Sequence, residues 1–142
     1  RVSHKRLNVV KEMDKQIKIY GDPKRMEQVF RILIDNAIKY SPKGAKIKIS
    51  AKENYSGNYQ VDGKDGVLFK FQDQGVGIPE EDLPKLFNRF FRASNVGKRK
   101  GTGLGLVIAK ELVALHGGEI FVKSKEGKGT VFFVFVPYAV KK

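Results

Sequence analysis

Between Gly21-Asp22-Pro23 and Ser41-Pro42-Lys43-Gly44 lies a stretch with little choice of fold. Met26, Val29, Phe30, Leu33 and Ala37 recur at i, i+3, i+4, i+7 and i+11, which lines one side of an α-helix and leaves the other polar. Asp22 suits the N-cap, and Pro23 suits the first helical position, where a missing N–H costs nothing. The Ser41–Gly44 cluster stops the helix. A helix over about 23–40 with one apolar stripe must lie on another apolar layer, and the flanking sequence supplies strands for it.

Residues 5–20 read as two short strands, "RLNVVKEM" and "KQIKIYG", with Ile17 and Ile19 alternating with charge. "AKIKISAKE" alternates strictly and predicts a third strand; residues 54–66 are polar and Gly-rich and read as a hairpin loop. "VLFKFQDQG" is the partner strand and delivers Asp73 at its end. Pro79-Glu80-Glu81-Asp82 opens a short helix through Leu83, Leu86 and Phe87, with the acids read as a charged first turn and not as catalytic carboxylates. Residues 93–102, "ASNVGKRKGT", read as a surface loop. A second long helix starts near Gly103, with Leu104, Val107, Ile108, Leu112 and Leu115 as its expected buried stripe and Gly117-Gly118 as its stop. Two strands close the chain, joined at Glu126-Gly127-Lys128-Gly129. The order β-β-α-β-β-α-α-β-β predicts one α/β (α+β) domain over 1–142: a two-layer sandwich with a mixed, mainly antiparallel sheet and helices on one face.

Composition narrows the function. There is no cysteine and there are two histidines, which leaves no thiol chemistry and no histidine-rich metal site. With 28 basic and 15 acidic side chains the formal charge is +13, which suits solubility or an anionic partner: nucleic acid, membrane surface, nucleotide or acidic protein. The longest aliphatic-aromatic run, Val131–Val136, is far short of a membrane span, so no direct span is expected. No secretory signal opens the chain, and its first residue is not Met, so a piece of a longer, cytoplasmic protein is expected.

Three segments carry chemistry. Asn36, Lys39 and Tyr40 share a face at the end of the first helix, with Ile32 one turn earlier. An amide, an ammonium and a phenol suit Mg²⁺, phosphate and an aromatic ring respectively, although an ordinary solvated helix end has the same composition. "DQGVGIP" (73–79) sets an acid before two glycines, which is either a turn or a place where a flat ligand lies on backbone. "GTGLGL" (101–106) leads glycines into a helix N-terminus, a phosphate seat by its N–H groups and dipole, although glycines there also make plain turns. Neither a P-loop nor a dinucleotide fingerprint fits.

Together, "DNAIKYS", "DQGVGIP", "LFNRFFR" (86–92), "GTGLGL" and "GKGT" (127–130) resemble the N, G1, F and G2 boxes and closing glycine motif of the ATP-binding catalytic domain of sensor histidine kinases. That family shares the Bergerat fold with gyrase B, Hsp90 and MutL. The resemblance runs over roughly residues 5–138. It implies Asp73 as reader of the adenine amino group, with Gly75, Gly77 and Ile78 letting backbone approach base and sugar. It implies Asn36 as the Mg²⁺ ligand, Lys39 on phosphate, Tyr40 beside adenine and Arg92 on the γ-phosphate. Gly101, Thr102, Gly103, Leu104 and Gly105 would meet the phosphates, Thr130 would join the site, and residues from about 88 to 102 would form an ATP lid. Relatives often carry a second asparagine where Ile32 stands, so a contact from that position is lost. The partners implied are ATP or ADP, a histidine-bearing dimerisation domain and a response regulator. His4, followed by Lys5-Arg6, does not match the acceptor motif and reads as a surface residue; His116 reads as a cation at a helix C-terminus. Two alternatives compete: a stand-alone ATP-binding or anti-sigma-type serine kinase domain, and a basic nucleic-acid-binding module. The second lacks any recognised motif, so no nucleic-acid partner is expected.

Overall fold

A computed structural model of the chain describes residues 8–12, 22–42, 44–88 and 104–138. The elements are β1 (Asn8–Glu12), α1 (Pro23–Tyr40), β2 (Lys46–Tyr55), β3 (Gly66–Gln72), a 3₁₀ helix (Glu80–Lys85), α2 (Gly105–Leu115), β4 (Glu119–Lys125) and β5 (Gly129–Pro137). The predicted strand through Ile17 and Ile19 lies outside the described residues.

α1 takes the predicted span, and Asp22 caps it by accepting from Lys24 N and Arg25 N. The sheet order is β1-β2-β3-β5-β4. β1 runs parallel to β2, and all other neighbours are antiparallel, which is the mixed sheet that the alternation predicts. Side chains alternate across it. Ile47 and Ile49, Phe69 and Phe71, Phe132 and Val134, and Ile120 all point into one core with Met26, Val29, Leu33 and Ala37 of α1. Phe30 sits on Phe69 and Phe71 with ring centroids 4.9 and 5.5 Å apart.

The opposite face carries a smaller core of Leu68, Phe133 and Phe135. Its cover is the β2–β3 connection: Tyr59 stacks on Phe133 at 4.3 Å, and Tyr55 and Val61 pack beside it. No helix among the described residues is long and apolar enough to cross a membrane.

Three expectations are corrected. The middle helix is 3₁₀, because Pro84 has no N–H to return four residues back, and the turn closes instead with Asp82 N on Pro79 O and Leu86 N on Leu83 O. The buried stripe of α2 is Ala109, Leu112, Val113 and His116, together with Val107; Ile108 is 37% and Leu115 67% exposed. Val107 and Leu112 of the expected stripe are buried, and so is the small residue at 109, completely. His116 is buried as well, and its ring is not a cation. Its Nε2 accepts from Asp22 N at 3.0 Å, so Nδ1 carries the hydrogen that goes to Leu112 O at 2.8 Å. The ring thus ties the end of α2 to the cap of α1. Gly117 and Gly118 complete a Schellman stop, with Gly117 N on Ala114 O and Gly118 N on Val113 O.

His116→Ala is expected to lower unfolding free energy by about 2 kcal/mol, since it opens a hole and orphans a backbone N–H. Urea denaturation measures it, with an unchanged m-value expected.

Candidate functional site

The site is built where β3 ends. Asp73 is the first residue after that strand, and its main chain still follows β5: Asp73 N donates to Thr130 O at 2.9 Å. Its carboxylate turns back to the same residue. Oδ1 accepts from Gly75 N at 2.8 Å and Thr130 N at 3.1 Å. Among the described residues Oδ2 receives no hydrogen bond. Burial pushes the Asp73 carboxyl above its ordinary value, and the two backbone N–H bonds pull against that without cancelling it.

Two neighbours wedge the loop after Asp73 in place. On one side, Val76 N donates to the carbonyl of Tyr40, the last residue of α1, at 3.2 Å. A side chain at Gly75 would strike that same carbonyl. On the other side, Gly127 N donates to Val76 O at 2.7 Å, and Gly77, at φ +74°, lies against the Lys125 carbonyl. The protein's own backbone therefore already requires glycine at 75 and 77, apart from any ligand. Gly129, at φ +114°, leaves room for the Asp73 carbonyl in the same way.

A residue that sequence reasoning missed binds these parts together. Ser124 Oγ accepts from Ile78 N at 2.7 Å, donates to Gly129 O at 2.9 Å, and lies 2.8 Å from Thr130 Oγ1. Ser124 and Thr130 are cross-strand partners in the β4–β5 ladder. A signal existed: both are hydroxyl residues flanking the predicted turn, and hairpin register puts such pairs opposite each other. Asp73, Ser124 and Thr130 line one open cleft of about 430 Å³, with Leu83 and Val122 among its apolar walls and Lys125 among its cations.

The α1 residues do not line this cleft. Asn36, Lys39 and Tyr40 occupy the last turns of α1, all partly exposed, and Tyr40 meets the loop through its carbonyl. Ile32, one turn earlier, packs on the start of α2: a Cβ at Gly105 would come within 3.3 Å of its Cγ2. An apolar side chain at 32 therefore serves the helix–helix contact. Leu104 is the N-cap position of α2, with no side-chain cap. Lys110 of α2 lies over the Phe87 ring at 5.3 Å, which joins the first part of "LFNRFFR" to this helix. Arg92, Gly101, Thr102, Gly103 and most of the expected lid lie outside the described residues.

So Asp73, Gly75 and Thr130, with Ile78 through Ser124, form one hydrogen-bonded unit; Gly77 lies against the Lys125 carbonyl, and the C-terminal end of α1 is attached through Tyr40. A half-buried carboxylate with one open oxygen fits an amino donor on a base. Among the described residues no cluster of three or more His, Asp or Glu could hold a metal. The amide of Asn36 fits Mg²⁺ only as one ligand, the rest coming from phosphate and water, which is how that ion is commonly held.

The fold and this arrangement define a class. The chain belongs to the family of histidine kinase-, DNA gyrase B- and HSP90-like ATPases, whose family model matches residues 21–140. It is 39% identical over 127 residues to sensor histidine kinase WalK of Bacillus subtilis (strain 168), which covers 88% of this chain and 20% of that one. It is 41% identical over 126 residues to sensor histidine kinase YkoH of the same strain, covering 87% and 25%. The chain thus spans a fifth to a quarter of the length of these curated relatives. In structure it is similar to the catalytic domain of histidine kinase ThkA in a nucleotide-free form, with TM-score 0.77, 30% identity, and 96% and 84% of the two chains covered. The mycobacterial sensor histidine kinase MprB gives TM-score 0.77 at 28% identity, covering 92% and 83%.

Two outcomes follow from this geometry. Gly77→Ala forces a side chain into a left-handed conformation against a carbonyl, and should cost about 1–3 kcal/mol in thermal or urea unfolding. The raised Asp73 pKa means that ionised Asp73 works against the fold above that value and that protonation relieves it. Stability from this group therefore rises as pH falls from the raised value towards the ordinary aspartate value. Asp73→Asn should be at least as stable as the wild type at pH 7, and its advantage should vanish through that window; melting curves across pH 3–7 measure it.

Proposed function

We propose that the chain binds Mg-ATP and donates the γ-phosphate to a histidine on a separate dimerisation domain, for relay to an aspartate of a response regulator. One observation carries the reading of the base: Asp73 Oδ1 is saturated by backbone while, among the described residues, Oδ2 stays open as an acceptor. Such a carboxylate, partly desolvated, binds an amino group strongly and rejects a carbonyl. Family membership and the sensor kinase relatives support the rest.

In this reading Tyr40 flanks the adenine, and Gly75, Gly77, Ile78 and Thr130 shape its seat. Lys39 neutralises phosphate, and Asn36 would be the protein ligand to Mg²⁺, which would supply charge neutralisation to the phosphates. Gly101, Thr102, Gly103, Leu104 and Gly105 offer backbone N–H groups at the start of α2. Arg92 steadies the γ-phosphate. The chain needs no nucleophile of its own, since the attacking nitrogen comes from the partner domain. Positioning and charge neutralisation are what such a site contributes. A cytoplasmic location accords with the need for ATP.

Asp73→Asn keeps an oxygen for both N–H groups but turns the open acceptor into a donor. Calorimetry with Mg-ATP should show at least about 100-fold weaker binding in a folded protein. Unchanged affinity would remove Asp73 from the base. Arg92→Ala should spare ADP binding yet slow phosphotransfer to a supplied dimerisation domain; equal transfer rates would remove the γ-phosphate role.

A further inference from the structure

We propose that Ser124 is a positioning residue that sets base specificity: it fixes the hydroxyl of Thr130 as an acceptor and so favours adenine over guanine. The proposal rests on the nucleotide reading above and deepens it.

The argument is a count of hydrogens. A serine hydroxyl has one hydrogen and two lone pairs. The Gly129 carbonyl, 2.9 Å away, can only accept, so the Ser124 hydrogen goes there. The Ile78 N–H, at 2.7 Å, can only donate, so it takes one lone pair. Thr130 Oγ1, at 2.8 Å, must then be the donor to the second lone pair. The Thr130 hydrogen is thereby committed, and what Oγ1 has left for any other partner is lone pairs. Its neighbour Asp73 is held by Thr130 N through Oδ1 and presents Oδ2, also an acceptor.

Asp73 and Thr130 line the same cleft, and Thr130 is 5% exposed, so this polarity belongs to the floor. Lys123, Lys125 and Lys128 line the cleft too, but on exposed positions. A floor of acceptors matches a base that offers an amino hydrogen directly to it. A base with a carbonyl at that position finds no donor there. Without Ser124, the Thr130 hydroxyl is free to rotate and donate, and the rejected base gains a partner.

The test is the ratio of Kd values for ADP and GDP, by calorimetry, on the wild type and three variants. Ser124→Ala should narrow the preference for ADP at least tenfold, with GDP gaining relative to ADP. Ser124→Cys, which nearly keeps the volume but is a weak hydrogen-bond partner, should shift the ratio the same way and covers the case in which the alanine variant does not fold. Ser124→Thr, which restores the hydroxyl, should keep the wild-type ratio. A purely structural role weakens both nucleotides equally, and an unchanged ratio in Ser124→Ala or Ser124→Cys would overturn the proposal alone. A wild-type protein that binds neither nucleotide would overturn the nucleotide reading itself, before any variant is compared.

Discussion

One carboxylate oxygen joins the parts on which everything else rests. Asp73 Oδ1 holds Gly75 of its own loop and Thr130 of β5 at once. Behind it, the loop is fixed to the end of α1 through the Tyr40 carbonyl and to the β4–β5 turn through Gly127. The contacts are backbone on backbone, so they leave no space for side chains at 75, 77 and 129. The Asp73 side chain is thus a clamp of the local fold. Its pKa is raised by the same placement: burial opposes the charge, and two N–H groups only partly compensate.

The helix-and-sheet frame could be read in the sequence where signals repeat. α1 has a five-residue apolar stripe, a capping aspartate and two stops, and its span came out as expected. Strands with strict alternation did equally well. α2 was located, and Val107 and Leu112 of its expected stripe are buried, but Ile108 and Leu115 are exposed. In its buried stripe the completely buried residues are the smaller ones, Ala109 and Val113, and one member is a histidine. His116 could not be recognised as neutral from its place at a helix end, since its acceptor role depends on Asp22, 94 residues away.

The site divides in the same way. Asp73 and its glycines by themselves also fit an ordinary turn, and were legible only in company with the other boxes of the resemblance. What glycine does there was only half legible, for the bodies it makes room for, Tyr40 and Lys125, come from other elements. Ser124 was not legible as a single residue. Serine is common near turns, and only strand register places it opposite Thr130. Ile32 looked like a loss from the polar face of α1, yet in the fold it is the residue that meets Gly105.

The His116 joint has a consequence for how α2 responds to force. Its C-terminal end is rooted by the imidazole and by a glycine stop, while its N-terminal end carries no side-chain cap. A helix anchored at the far end cannot slide away from what its near end meets. The direction of α2 is thus held from its far end, by the cap of α1 as well as by its own glycine stop.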